Sequence, residues 1–120
     1  MMKASANLSI LVVGNIDHLL VSKQEFPEIS NTVFCSMNDL TAEFISAYQP
    51  DIILSPLMTS QFDVLELAIK LDRLNFEGRF RAITSPLPDP YMILREVRFE
   101  CPALDFDLIV LRPGQHLRSV

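Results

Sequence analysis

At 120 residues the chain holds one hydrophobic core and is too short for two. Hydrophobic residues make up 49% and charged residues only 21%, so the chain is globular and apolar for its size, which goes with a surface meant to be covered. A net charge of −5 excludes a general binder of nucleic acid or anionic membrane, because phosphate is repelled overall.

Basic density exists in Arg73, Arg79, Arg81, Arg95 and Arg98, but Glu77, Asp89, Glu96 and Glu100 are interleaved with it, which reads as a solvated mixed face. No apolar run reaches the ~20 residues needed to span a bilayer. Residues 1–7, taken as an N-terminal tail, lack the basic and apolar segments of an export signal. Cys35 and Cys101 are far apart and form no CxxC pair, so two free thiols in a reducing, cytoplasmic setting are expected.

Residues 8–13 form a continuous apolar run rich in β-branched side chains, the pattern of a strand buried on both faces of a parallel sheet. Residues 16–24 can make a short helix limited by Pro27, and 32–37 a second strand. Asn38 is placed to cap a helix whose inner face is Leu40, Phe44, Ala47 and Tyr48, with Pro50 as its stop. A third strand over 51–54 runs into Ser55 and Pro56. Ser60, with Asp63 three residues on, is the expected cap of the next helix. That helix has the stripe Val64, Leu67, Ala68, Leu71 and Leu74, an outer Glu66–Lys70 pair, and Gly78 as its stop.

Residues 79–84 give a fourth strand, and Pro86, Pro88 and Pro90 stiffen the loop that follows. Asp89 then Pro90 opens a helix bearing Ile93, Leu94 and Val97 to about residue 100. A fifth strand covers 106–111, and 112–120 is a short C-terminal tail. Strands alternating with helices give a single three-layer α/β/α domain over 1–120, with a five-stranded parallel sheet in the order 2-1-3-4-5.

From Leu8 onward the chain resembles a response-regulator receiver domain, of flavodoxin type. The residues that carry the likeness are Pro50-Asp51-Ile52-Ile53-Leu54-Ser55-Pro56-Leu57-Met58, then Phe62-Asp63-Val64-Leu65-Glu66-Leu67, then Ala82-Ile83-Thr84-Ser85, then Leu111-Arg112-Pro113. The resemblance implies a site of four parts: an acidic pair that holds Mg²⁺, an aspartate that takes the phosphoryl group, a lysine and a Thr/Ser hydroxyl. Here Gly14 and Asn15 stand at the acidic pair, and Pro56 stands at the acceptor (Ser55 if the register slips by one). Arg112 replaces the lysine, and Thr84 alone is retained. Proline has no nucleophile, and serine without a base or metal is a poor one. The implied domain is a pseudo-receiver with no catalytic residue, no metal and no cofactor.

Other constellations are weaker. Asp17-His18 with Ser55 lacks a GxSxG elbow, His116 has no second ligand, and neither GxGxxG nor GxxxxGK[ST] occurs. A receiver also ends in a helix of about a dozen residues, for which 113–120 is too short. A missing or vestigial fifth helix implies a bare strand face, with Leu108, Val110 and Leu117 as the expected contact. Two functions follow as expectations. One is a phosphorylation-incompetent module that binds a protein partner or a second copy of itself. The other is a small-anion sensor at the carboxyl ends of the strands, lined by Asn15, Ser55, Thr84 and Arg112.

Overall fold

The computed structural model describes residues 8–14, 31–57, 59 and 62–111. Five strands, β1 (Ser9–Val13), β2 (Asn31–Cys35), β3 (Ile52–Pro56), β4 (Arg79–Thr84) and β5 (Asp105–Val110), form one parallel sheet in the expected order β2-β1-β3-β4-β5. Three helices join them: α1 (Ala42–Tyr48), α2 (Val64–Arg73) and α3 (Pro90–Glu100). The expected helix over 16–24 and both tails lie outside the described residues.

Every residue of β1 and β3 is buried, which is why these strands read as unbroken apolar runs. Side chains alternate between the two faces. One face carries Leu11, Ile53, Phe80 and Phe106 into the larger core, where Leu67 and Leu71 of α2 and Val97 of α3 meet them. Phe44, Ile45 and Tyr48 of α1 pack on the same cluster, so all three described helices cover this one face. The Phe80 and Phe106 rings lie 5.2 Å apart at its centre. The other face holds a smaller cluster of Ile10, Val12, Ile52, Leu54 and Ile83.

The helix ends differ from expectation in instructive ways. Asn38 does not cap α1; residues Met37–Asp39 form a short 3₁₀ turn first. Leu40 must then turn into the core, where it is 2% exposed, and its extended backbone interrupts the helical path. The helix restarts with Thr41, whose Oγ1 accepts from the Phe44 amide at 3.0 Å. Ile45 rather than Ala47 completes the inner face, since Ala47 is exposed.

Asp63, not Ser60, caps α2 through a reciprocal box: Glu66 N donates to Asp63 Oδ1 at 2.9 Å and Asp63 N to Glu66 Oε1 at 3.0 Å. Glu66 is thereby spent at the cap. Lys70, expected to pair with it, instead donates to the Met37 carbonyl at 2.7 Å. The helix stops at Arg73, and Asn75 supplies the left-handed residue at φ 60°. Gly78 serves a different purpose, because a Cβ there would stand 2.6 Å from the Asp51 carbonyl oxygen. Only α3 opens as read, with Asp89 at the cap position and Pro90 in the first turn.

Asp63→Ala removes the acceptor for the Glu66 amide in the α2 box and is expected to cost about 1 kcal/mol in urea denaturation. Gly78→Ala should cost more, because the obstructing atom is backbone and cannot swing aside.

Candidate functional site

In a parallel α/β sheet the carboxyl ends of the strands are where ligands are placed by geometry. Here that end is built by Gly14 after β1, Ser55 and Pro56 closing β3, and Thr84 closing β4. Gly14 donates its N–H to the Cys35 carbonyl at 3.0 Å and has φ +92°, a backbone that side chains rarely adopt. Ser55 and Pro56 are buried, Ser55 completely. Pairing of Ser55 with Ala82, two residues before Thr84, puts both hydroxyls on the helix-covered face.

Neither hydroxyl is idle. Ser55 Oγ donates to the Pro56 carbonyl at 3.0 Å, and Thr84 Oγ1 donates to the Ser85 carbonyl at 2.9 Å. Asn15 and Arg112, the other two members of the expected anion cleft, lie outside the described residues. The structure therefore brings together Gly14, Ser55, Pro56 and Thr84 of the expected set, and shows two of them bonding locally.

Phe62, which the sequence offers only as part of the receiver-like stretch and with no place at the site, lies beside Gly14: it is 4% exposed. A Cβ added at Gly14 would stand 3.3 Å from Phe62 Cζ and 3.4 Å from Pro56 Cδ. The ring is held by its own backbone: Thr59 N donates to the Phe62 carbonyl at 2.8 Å and Phe62 N to Thr59 Oγ1 at 3.1 Å. The available signal was an aromatic residue in the loop after the third strand, with a threonine three residues before it.

Among the described residues, a hollow of about 390 Å³ is lined by Gly14, Ser36, Met37 and Asn38, beside β2. A larger one, about 660 Å³, lies at the opposite, amino end of the strands among Asp51, Glu77, Arg79 and Asp105. Among the described residues no group of three or more His, Cys, Asp or Glu side chains is placed to hold a metal ion. No helix there is long and apolar enough to cross a membrane.

The thiols are free and unreactive in character. Burial, then the charge of Asp39, pushes the Cys35 thiol up to about 11, against a smaller opposing effect of Lys70. Burial, then Asp72 and Glu100, likewise raises that of Cys101. Asp39 is shifted the other way, its carboxylate favoured by hydrogen bonds from Ser36.

The expected contact residues are partly covered. Leu108 packs against the larger core, and Val110, two residues on, shares that face and is half-buried. Ile109 and Leu111 rest on the smaller cluster. Leu117 is outside the described residues. The large exposed apolar groups among the described residues are elsewhere: Val33 and Phe34 on β2, and Tyr91 (67%), Met92 (60%) and Phe99 (82%) on the outer side of α3. For α3 the signal was legible, since Tyr91, Met92 and Phe99 fall off the Ile93, Leu94 and Val97 stripe.

Gly14→Ala is expected to destabilise the fold by roughly 1–3 kcal/mol in chemical denaturation, from strained φ and contact with the Phe62 ring. Cys35 should react with iodoacetamide at pH 8 at least ~10-fold more slowly than a free cysteine, with a rate that climbs toward pH 11.

No protein-family model matches the sequence, and no curated protein matches it. A solved structure does resemble it: the crystal structure of the signal receiver domain of an HD domain-containing protein from Pseudomonas fluorescens Pf-5. The two superpose with a TM-score of 0.59 at 14% identity, over 92% of this chain and 79% of that one. At that identity the likeness establishes the fold, which is that of a receiver domain.

Proposed function

We propose that this domain is a receiver-like signalling module that acts by binding another protein and does not take up a phosphoryl group. The observation that carries the reading is Gly14 and Pro56 standing at the carboxyl ends of β1 and β3, with the buried Phe62 ring beside Gly14. In a receiver these two positions would supply a metal ligand and the acceptor carboxylate. Here they offer a glycine and a proline, neither of which can ligate a metal through its side chain or accept a phosphoryl group.

The contact surface in this reading is the outer side of α3. Its Tyr91, Met92 and Phe99 are large, apolar and exposed, whereas the exposed positions of α1 and α2 are small or polar. Aromatic and methionine side chains are enriched at the centres of interfaces, and Arg95 on the same face can supply a directional bond. Leu108 and Val110 lie on the face that α3 covers, so the expected contact moves outward from β5 to the helix above it. The small-anion alternative has less support, because the Ser55 and Thr84 hydroxyls already donate to backbone carbonyls.

Two experiments test this. Incubation with Mg²⁺ and acetyl phosphate is expected to leave the intact mass unchanged; a stable phosphoryl adduct on any side chain at the β3 end would overturn the reading. Affinity purification of tagged protein should recover a partner that Phe99→Glu loses by at least ~10-fold, at unchanged melting temperature. Equal recovery by both proteins would remove α3 from the account.

A further inference from the structure

The two edges of the sheet are treated in opposite ways. Backbone groups along a strand point alternately to the left and right neighbour. Leu111 N donates to the Thr84 carbonyl, so odd-numbered residues of β5 face β4 and Phe106, Leu108 and Val110 face outward. Two of their backbone groups are already occupied. Arg98 Nη2 donates to the Phe106 carbonyl at 3.1 Å, and the Leu108 amide donates to Asp107 Oδ1 at 2.8 Å. Asp105 and Asp107 add exposed charge along the same edge. An incoming strand would find two of its partners taken and carboxylates beside them, and such charge is one way edges are guarded against pairing.

The β2 edge has none of these devices. Gly14 N donates to the Cys35 carbonyl, so Asn31, Val33 and Cys35 face β1, while Thr32 and Phe34 turn their N–H and C=O groups outward. Among the described residues nothing bonds to those outward groups. From Asn31 to Met37 the chain carries no charge, and Val33 (37%) and Phe34 (49%) are exposed on opposite faces of the strand. Among the described residues, the five-residue strand NTVFC thus presents an uncharged pairing edge with an apolar side chain on each side.

We infer that β2 pairs antiparallel with β2 of a second copy, joining two five-stranded sheets into one. Three features select a second copy as the occupant. The chain is acidic, at −5, and β2 is a stretch where two copies can meet without opposed like charges. A two-fold axis through the middle of β2 sets outward donors against outward acceptors of the same strand, so one open edge satisfies its own twin. The β5 edge carries the exposed Asp105 and Asp107 and has two of its outward groups taken, so pairing is disfavoured there and the assembly closes at two chains. A five-residue contact is short, and the dimer dissociates on dilution. This inference does not rest on the reading of α3.

The test is amide hydrogen exchange on the full chain, together with sedimentation, over roughly a hundredfold range of concentration. The Thr32 and Phe34 amides are expected to slow at least ~10-fold as dimer forms, while the Val33 amide, already bonded toward β1, is protected throughout. Thr32→Pro removes an outward donor without touching the β1 ladder, and Phe34→Lys places charge on the edge; both should remain monomeric. Phe99→Glu should dimerise like the natural sequence, which separates this contact from the one on α3. A monomer at every concentration, exchange of Thr32 and Phe34 that ignores concentration, or a dimer that survives both β2 variants would overturn the inference.

Discussion

The central strands of this sheet have no exposed face, and the rest of the molecule follows from that constraint. β1 and β3 are buried along their whole length, and so are the last three residues of β4. Strands so enclosed admit only apolar side chains or polar ones that bond at once to nearby backbone, as Ser55 and Thr84 do. The constraint extends to the end of β1, where a side chain on Gly14 would meet the Phe62 ring and Pro56. With no carboxylate at Gly14 or Pro56, the surfaces left for contact in the reading proposed above are the outer side of α3 and the β2 edge.

The strands were legible in the sequence because their burial writes itself as unbroken apolar runs. Residues 79–84 were placed to the residue, and 106–111 lies one position from the observed β5. Topology followed from the alternation of strand and helix. Helix boundaries were harder, since several polar residues near a boundary can each act as cap and only tertiary packing chooses among them. Asn38 lost to Thr41 because Leu40 had to enter the core. Ser60 lost to Asp63 because Glu66 stands three residues after Asp63 and completes the box. Gly78 looked like a helix stop, yet its lack of a side chain answers the close approach of Asp51.

The candidate site was legible by what it lacks and illegible by what replaces it. Missing carboxylates at Gly14 and Pro56 can be read from a string of letters. That a phenylalanine six residues beyond Pro56 folds back beside Gly14 cannot, because it depends on the Thr59–Phe62 turn. Likewise Leu108 and Val110 suggested a bare strand face, and the structure sets them on the side that α3 covers. The aromatic residues that do reach solvent, Tyr91 and Phe99, flank the inward stripe of α3 and pass unnoticed when only that stripe is sought.

The Phe62 ring stands beside Gly14 at the carboxyl end of the sheet, and the proposed reading keeps it there whether or not a phosphoryl donor is present. Nuclear Overhauser contacts between the Phe62 ring protons and the Gly14 α protons test this most directly. Strong contacts that persist unchanged when Mg²⁺ and acetyl phosphate are added are expected. A Phe62 ring without those contacts, or one that leaves Gly14 when the additions are made, would contradict it.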